Sequence, residues 1–157
     1  MNYAKINPVE YTNRVENLRK IMAKDGVDLV MGYSNLVELG IVRYYCGFAP
    51  VNENSAIIIP KEGAVTVCAG QAGFDYAEVQ NQLKGSIIKI FPEVGEVSGF
   101  EYDTEGQLDF AEYFKSFFFG WFNNVNFLKT ACECLVFQNE FFVFIVGGRS
   151  YATESAA

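Results

Sequence analysis

Residues 25–70 read DGVDLVMGYSNLVELGIVRYYCGFAPVNENSAIIIPKEGAVTVCAG, and this stretch decides the fold. Gly26 ends whatever helix precedes it. Val27 to Met31 is a short apolar run after that stop, which reads as a buried strand. Ser34 and Asn35 are capping residue types, so a helix is expected through Leu36, Leu39, Val42 and Arg43, weakened by Gly40. Gly47, Pro50 and Asn52 mark a loop. Ala56 to Ile59 and Ala64 to Cys68 are β-rich runs. Pro60-Lys61-Glu62-Gly63 joins them as the turn of a β-hairpin.

Working outward toward the N-terminus, Asn7-Pro8-Val9-Glu10 has the order of a helix start. Asn7 is the cap, Pro8 suits the first helical position and Glu10 completes a capping box. Tyr11, Val15, Leu18 and Met22 recur at helical spacing, with Ile21 beside them. Arg19, Lys20 and Lys24 gather where the helix dipole favours cations. Toward the C-terminus, Phe74, Ala77 and Leu83 predict a third helix ending at Gly85, and Ile87 to Phe91 a further strand. Helix, strand, helix, hairpin, helix, strand is the order of an α/β fold. The hairpin makes the sheet mixed, and the expected architecture is a three-layer α/β/α domain.

Beyond residue 92 the composition shifts. Residues 93–109 are acidic and contain glycine, which predicts a long loop or a solvated face. Of the 15 Phe, 11 fall between Phe110 and Phe144, so the later part of the chain is the aromatic-rich part. Phe110, Tyr113, Phe114 and Phe117 or Phe118 have helical spacing, and Phe141 to Val146 reads as a buried strand. A single domain over residues 1–150 is expected, with 93–140 divergent and 151–157 a frayed tail.

The formal charge of −7 argues against nucleic acid, because phosphates reward clustered Lys and Arg. The N-terminus has no apolar core of a signal peptide. The uncharged run Ser116 to Leu128 is too short and too rich in Asn for a bilayer span, so no membrane partner is expected and the cytoplasm is the expected compartment. Cys46, Cys68, Cys132 and Cys134 have no His to complete a mixed zinc site, since the chain contains none. Reduced, half-buried thiols are the plainer reading; a four-thiolate site would need Cys46 and Cys68 to converge.

The pattern resembles the N-terminal, non-catalytic domain of the creatinase/prolidase family, the pita-bread metallohydrolases that include Xaa-Pro aminopeptidases and dipeptidases. The residues that carry it are Arg14, Leu18, Arg19, Met22, Gly26, Val27 and Asp28, then Asn35, Tyr44, Tyr45, Cys46, Gly47 and Phe48. Ile57 to Pro60, Gly63 and Val65 to Val67 follow in the same order. The resemblance covers residues 8–92 and fails after about residue 105. It implies a metal-dependent hydrolase family whose chemistry sits in a separate C-terminal domain, where two Asp, one His and two Glu hold two divalent metal ions. That catalytic domain is not expected in this chain, so no cofactor and no catalytic residue is assigned to it.

The resemblance also implies subunit pairing through this domain, with the Gly47 to Asn54 loop edging a neighbour's active site. Arg43, Tyr44, Tyr45, Phe48, Asn52 and Glu53 are therefore the interface or substrate-access candidates. Exposed aromatics beside Arg also suit interface hot spots, whereas core packing of the second helix is the alternative reading. The expected partners are a second copy, as a homodimer or higher oligomer, and a pita-bread catalytic domain. Two other functions stay open. One is a stand-alone binding or regulatory module. The other is a small hydrolase working through Asp25, Asp28, Glu38, Glu53 or Glu62, although their spacing forces no convergence. Cys46 lacks a His base, and Gly147-Gly148-Arg149-Ser150 reads as a turn before it reads as an anion cradle.

Overall fold

The structure is a computed structural model and describes residues 6–95, 109–110, 112–113 and 143–147. Helix α1 spans Pro8–Asp25. The Asn7 side chain accepts the Val9 N–H, and Gly26 closes the helix in the left-handed conformation at φ 70°. The Glu10 carboxylate does not complete a capping box. It turns instead toward Arg14 one helical turn on, at 3.2 Å. Tyr11, Val15 and Met22 form the buried stripe, while Ile21 is exposed. Each such side chain, fully buried, contributes on the order of 1.5–3 kcal/mol.

Strand β1 covers Val27–Ser34, longer than the apolar run alone predicts. Helix α2 is Gly40–Cys46 and begins later than expected. The reason is local. Asn35 Oδ1 accepts the N–H groups of Val37 and Glu38, which closes a turn instead of starting a helix. Ser34 stays in the strand, and its Oγ accepts the Val42 N–H.

Strands β2 (Ser55–Pro60) and β3 (Thr66–Ala69) form the expected antiparallel pair. Helix α3 (Phe74–Gln80) then crosses to β4 (Ile87–Ile90), which lies parallel to β3. Strand β5 (Val143–Gly147) returns beside β1, antiparallel. The order β4-β3-β2-β1-β5 makes one mixed sheet with a central antiparallel trio.

Side-chain alternation sends the sheet's residues to two cores. Ile57, Ile59, Val67 and Ala69 face α1, α2 and α3. Leu29, Met31, Ala56, Ile58 and Cys68 face the opposite way, toward Phe91, Val94 and the helical residues Phe110 and Tyr113. There Phe110 stacks on Phe91 at 4.6 Å and Tyr113 meets it edge-on at 5.3 Å. The fold is therefore α/β with a mixed sheet between helical layers.

Glu93 corrects one expectation about the acidic stretch. It lies in a short 3-10 turn (Pro92–Val94), partly buried, and its Oε1 accepts the Phe110 N–H at 2.7 Å. The remaining residues of 93–109, apart from Val94, Gly95 and Asp109, fall outside the described residues. So do the rest of the Phe-rich segment, Cys132, Cys134, Gly148 to Ser150 and the tail 151–157.

Candidate functional site

Helix α2 turns Val42 and Cys46 into the core. The 3.6-residue period then puts Arg43 and Tyr44 outside and leaves Ile41 and Tyr45 half-buried. Tyr44 is 51% exposed, yet its position is fixed. Arg14 reaches across from α1, its Nη1 donating to the Tyr44 carbonyl at 2.7 Å. The same guanidinium lies 4.3 Å from the Tyr44 ring centre and 5.3 Å from that of Tyr11. Tyr45 meets Tyr44 edge-on, with centroids 5.0 Å apart. Burial, and secondarily the neighbouring Tyr44, push the Tyr45 hydroxyl pKa above its ordinary value.

Beside these tyrosines lies a cleft of about 470 Å³. Its floor is Val30 and Gly32 of β1 with Ile57 and Ile59 of β2, and its walls are Leu18 of α1 and Ile41, Tyr44 and Tyr45 of α2. Gly32 is required there. A Cβ at that position would collide with Ile41 Cγ2, so only glycine lets α2 settle this close to the sheet. Glu38 stands in the lining as the one charged side chain among the described residues. The Asn35 turn carries it there, and its Oε1 accepts the Gly40 N–H at 3.2 Å.

The six sequence candidates separate. Arg43 and Asn52 are exposed, Tyr44 is half-exposed, and Tyr45 is largely packed against the core beneath α2. Phe48 is fully buried in that core, so it belongs to packing and not to a surface. Glu53 is also removed from the surface, with only 3% exposure. Its carboxylate accepts the N–H groups of Ala72 and Gly73 at 3.1 and 2.7 Å, which ties the loop before β2 to the turn before α3. Tyr44 therefore lies on the cleft's rim and Arg43 is exposed on α2 outside the cleft lining, whereas Phe48 and Glu53 hold the structure beneath. Arg14 and Glu38 complete the site without having been singled out for it. Arg14 sits 30 residues from Tyr44, and no local spacing signals such a contact.

The described residues offer little for covalent or metal chemistry. Cys46 and Cys68 are buried on opposite sides of the sheet, so they do not converge. Burial pushes the Cys46 thiol pKa up to about 12 and raises that of Cys68 well above its ordinary value. Neither is a thiolate near neutral pH. Among the described residues no group of three or more His, Cys, Asp or Glu is placed to hold a metal ion, so they do not fit a two-metal centre. No described helix is long and apolar enough to cross a membrane.

No protein-family model matches the chain, and no curated protein matches it. Among solved structures, the dipeptidase PepE of Mycobacterium ulcerans is similar, with a TM-score of 0.44 and 12% sequence identity. The similarity covers 62% of this chain and 25% of that one, so the chain spans about a quarter of the dipeptidase's length.

Proposed function

We propose that this chain is a non-catalytic scaffold domain of the creatinase/prolidase type. It associates with a second copy through the exposed face of α2 and shapes access to a pita-bread catalytic domain. The observation that carries the reading is Tyr44, half-exposed yet held by Arg14 through a hydrogen bond and a ring contact. A pre-ordered Tyr beside Arg43 loses little conformational entropy on docking, which is what interface hot spots require. Leu36 and Val37, 51% and 95% exposed in the turn just before α2, add apolar surface to the same region.

The scaffold role also agrees with the fate of the potential reactive groups. The Glu53 carboxylate is engaged by two backbone N–H groups, and both described thiols are buried. The two divalent ions of such an enzyme belong to its catalytic domain in this reading. A proline dipeptide incubated with the chain and Mn²⁺, Co²⁺ or Zn²⁺ is expected to remain intact. Turnover that follows the chain through purification, and disappears with chelator, contradicts the non-catalytic role.

A further inference from the structure

We infer that the cleft between α1, α2 and the sheet binds a small organic ammonium compound, its apolar body against the sheet and its charged head at Glu38. At about 470 Å³ the cleft has the size of a small-molecule site. Such sites are mostly apolar with a few placed polar groups, and this one follows that form. Ile41, Ile57 and Ile59 supply apolar wall, and Glu38 supplies the fixed charge. The Asn35 turn and the Gly40 N–H hold that carboxylate at the rim while leaving it exposed to accept a donor.

The sign of the charge selects the ligand class. An anion would meet a carboxylate here with no Lys or Arg in the described lining to offset it. A neutral polar molecule would lose water against the isoleucines and gain less from Glu38 than an ammonium does. An aryl- or alkylammonium satisfies both halves: the hydrocarbon leaves water and the ammonium donates to Glu38. The Arg14 guanidinium does not compete for Glu38, since it is engaged by Glu10 and by the Tyr44 carbonyl.

The inference does not rest on self-association. A chain that stays monomeric and binds the ammonium leaves it standing. A dimer that shows no preference for the ammonium overturns this inference alone.

The test is an amide-resolved NMR titration of the full chain with phenethylammonium and, separately, with 2-phenylethanol, which has the same body and no charge. Shifts are expected to concentrate at Gly32, Gly40 and Ile41. Wild type is expected to prefer the ammonium roughly three- to fivefold, the scale of an exposed ion pair, and Glu38→Gln to bind both compounds alike. Salt provides a second arm that needs no variant: higher ionic strength is expected to weaken the ammonium and spare the alcohol. Shifts confined to other residues, equal binding of the two compounds by wild type, a preference that survives in Glu38→Gln, or salt-insensitive binding of the ammonium would overturn the inference.

Discussion

Arg14 and Glu53 each join segments far apart in sequence, and both do so through backbone groups. Arg14 places one N–H on the Tyr44 carbonyl and its guanidinium plane against two tyrosine rings. Lysine keeps the charge but lacks the flat, forked head that does both at once. Arg14→Lys is expected to lower stability by about 1 kcal/mol, read as a shift in the urea midpoint. An unchanged midpoint would mean that the contact contributes nothing. Glu53 is the more sensitive site, because its removal strands the buried Gly73 N–H and frees the part-buried Ala72 N–H. Glu53→Ala is expected to cost about 3 kcal/mol and Glu53→Gln clearly less, since the amide oxygen still accepts one bond. Equal losses would show that hydrogen bonding at Glu53 is not what matters. Neither role is legible in the sequence. Glu53 lies in an Asn-rich loop and has the composition of a surface residue, and its partners lie about 20 positions away.

Helices and strands were far more legible, because their signals are local. The Asn7 cap, the Gly26 stop and the Pro60 to Gly63 turn all stand where the residue types put them. The start of α2 was misplaced because Asn35 serves two motifs equally well, a helix cap and a turn, and packing of Ile41 on Gly32 decides between them. Arg19 shows how elements are then joined. Its Nε donates to the Pro60 carbonyl at 3.1 Å and its Nη2 to that of Gly63, which fastens α1 to both ends of the hairpin turn. Arg19→Lys is expected to lose one of the two bonds and about 1 kcal/mol in denaturant melts, whereas a wild-type midpoint would assign the turn's stability to the strands alone.

Glu93 gives the link between the 3-10 turn and the helical residues Phe110, Glu112 and Tyr113 a pH dependence. Burial raises its carboxyl pKa above the ordinary 4.5, although the Phe110 N–H pulls the other way, and among the described residues its Oε2 has no hydrogen-bond partner. The folded state therefore holds this proton more tightly than the unfolded chain does. The resulting stability is fully present below pH 4.5 and is lost as pH rises through the folded value. Glu93→Gln is expected to remove that decline in thermal melts between mildly acidic and neutral pH. Identical slopes in the two proteins would show that Glu93 does not set it.

At the scale of the whole molecule, the mixed sheet separates two cores. The core beneath α1 and α2 can be followed from periodicity, because those helices carry buried apolar positions at helical spacing, whereas α3 buries only Ala77. The opposite core cannot. It is built by Phe91, Val94, Phe110 and Tyr113, whose meeting depends on the chain path and not on any repeat. The arrangement that buries Val42, Cys46 and Phe48 leaves Arg43 and Tyr44 exposed, with Tyr44 at the rim of an apolar cleft.

Sedimentation equilibrium of wild type and Tyr44→Ala, over a hundredfold range of concentration, tests the scaffold reading most directly. Wild type is expected to populate a dimer or higher oligomer. Tyr44→Ala, with an unchanged circular dichroism spectrum, is expected to weaken association by at least tenfold, since a hot-spot side chain is worth about 2 kcal/mol. A wild-type chain that remains monomeric throughout, or a Tyr44→Ala variant that associates as tightly as wild type, would contradict the reading.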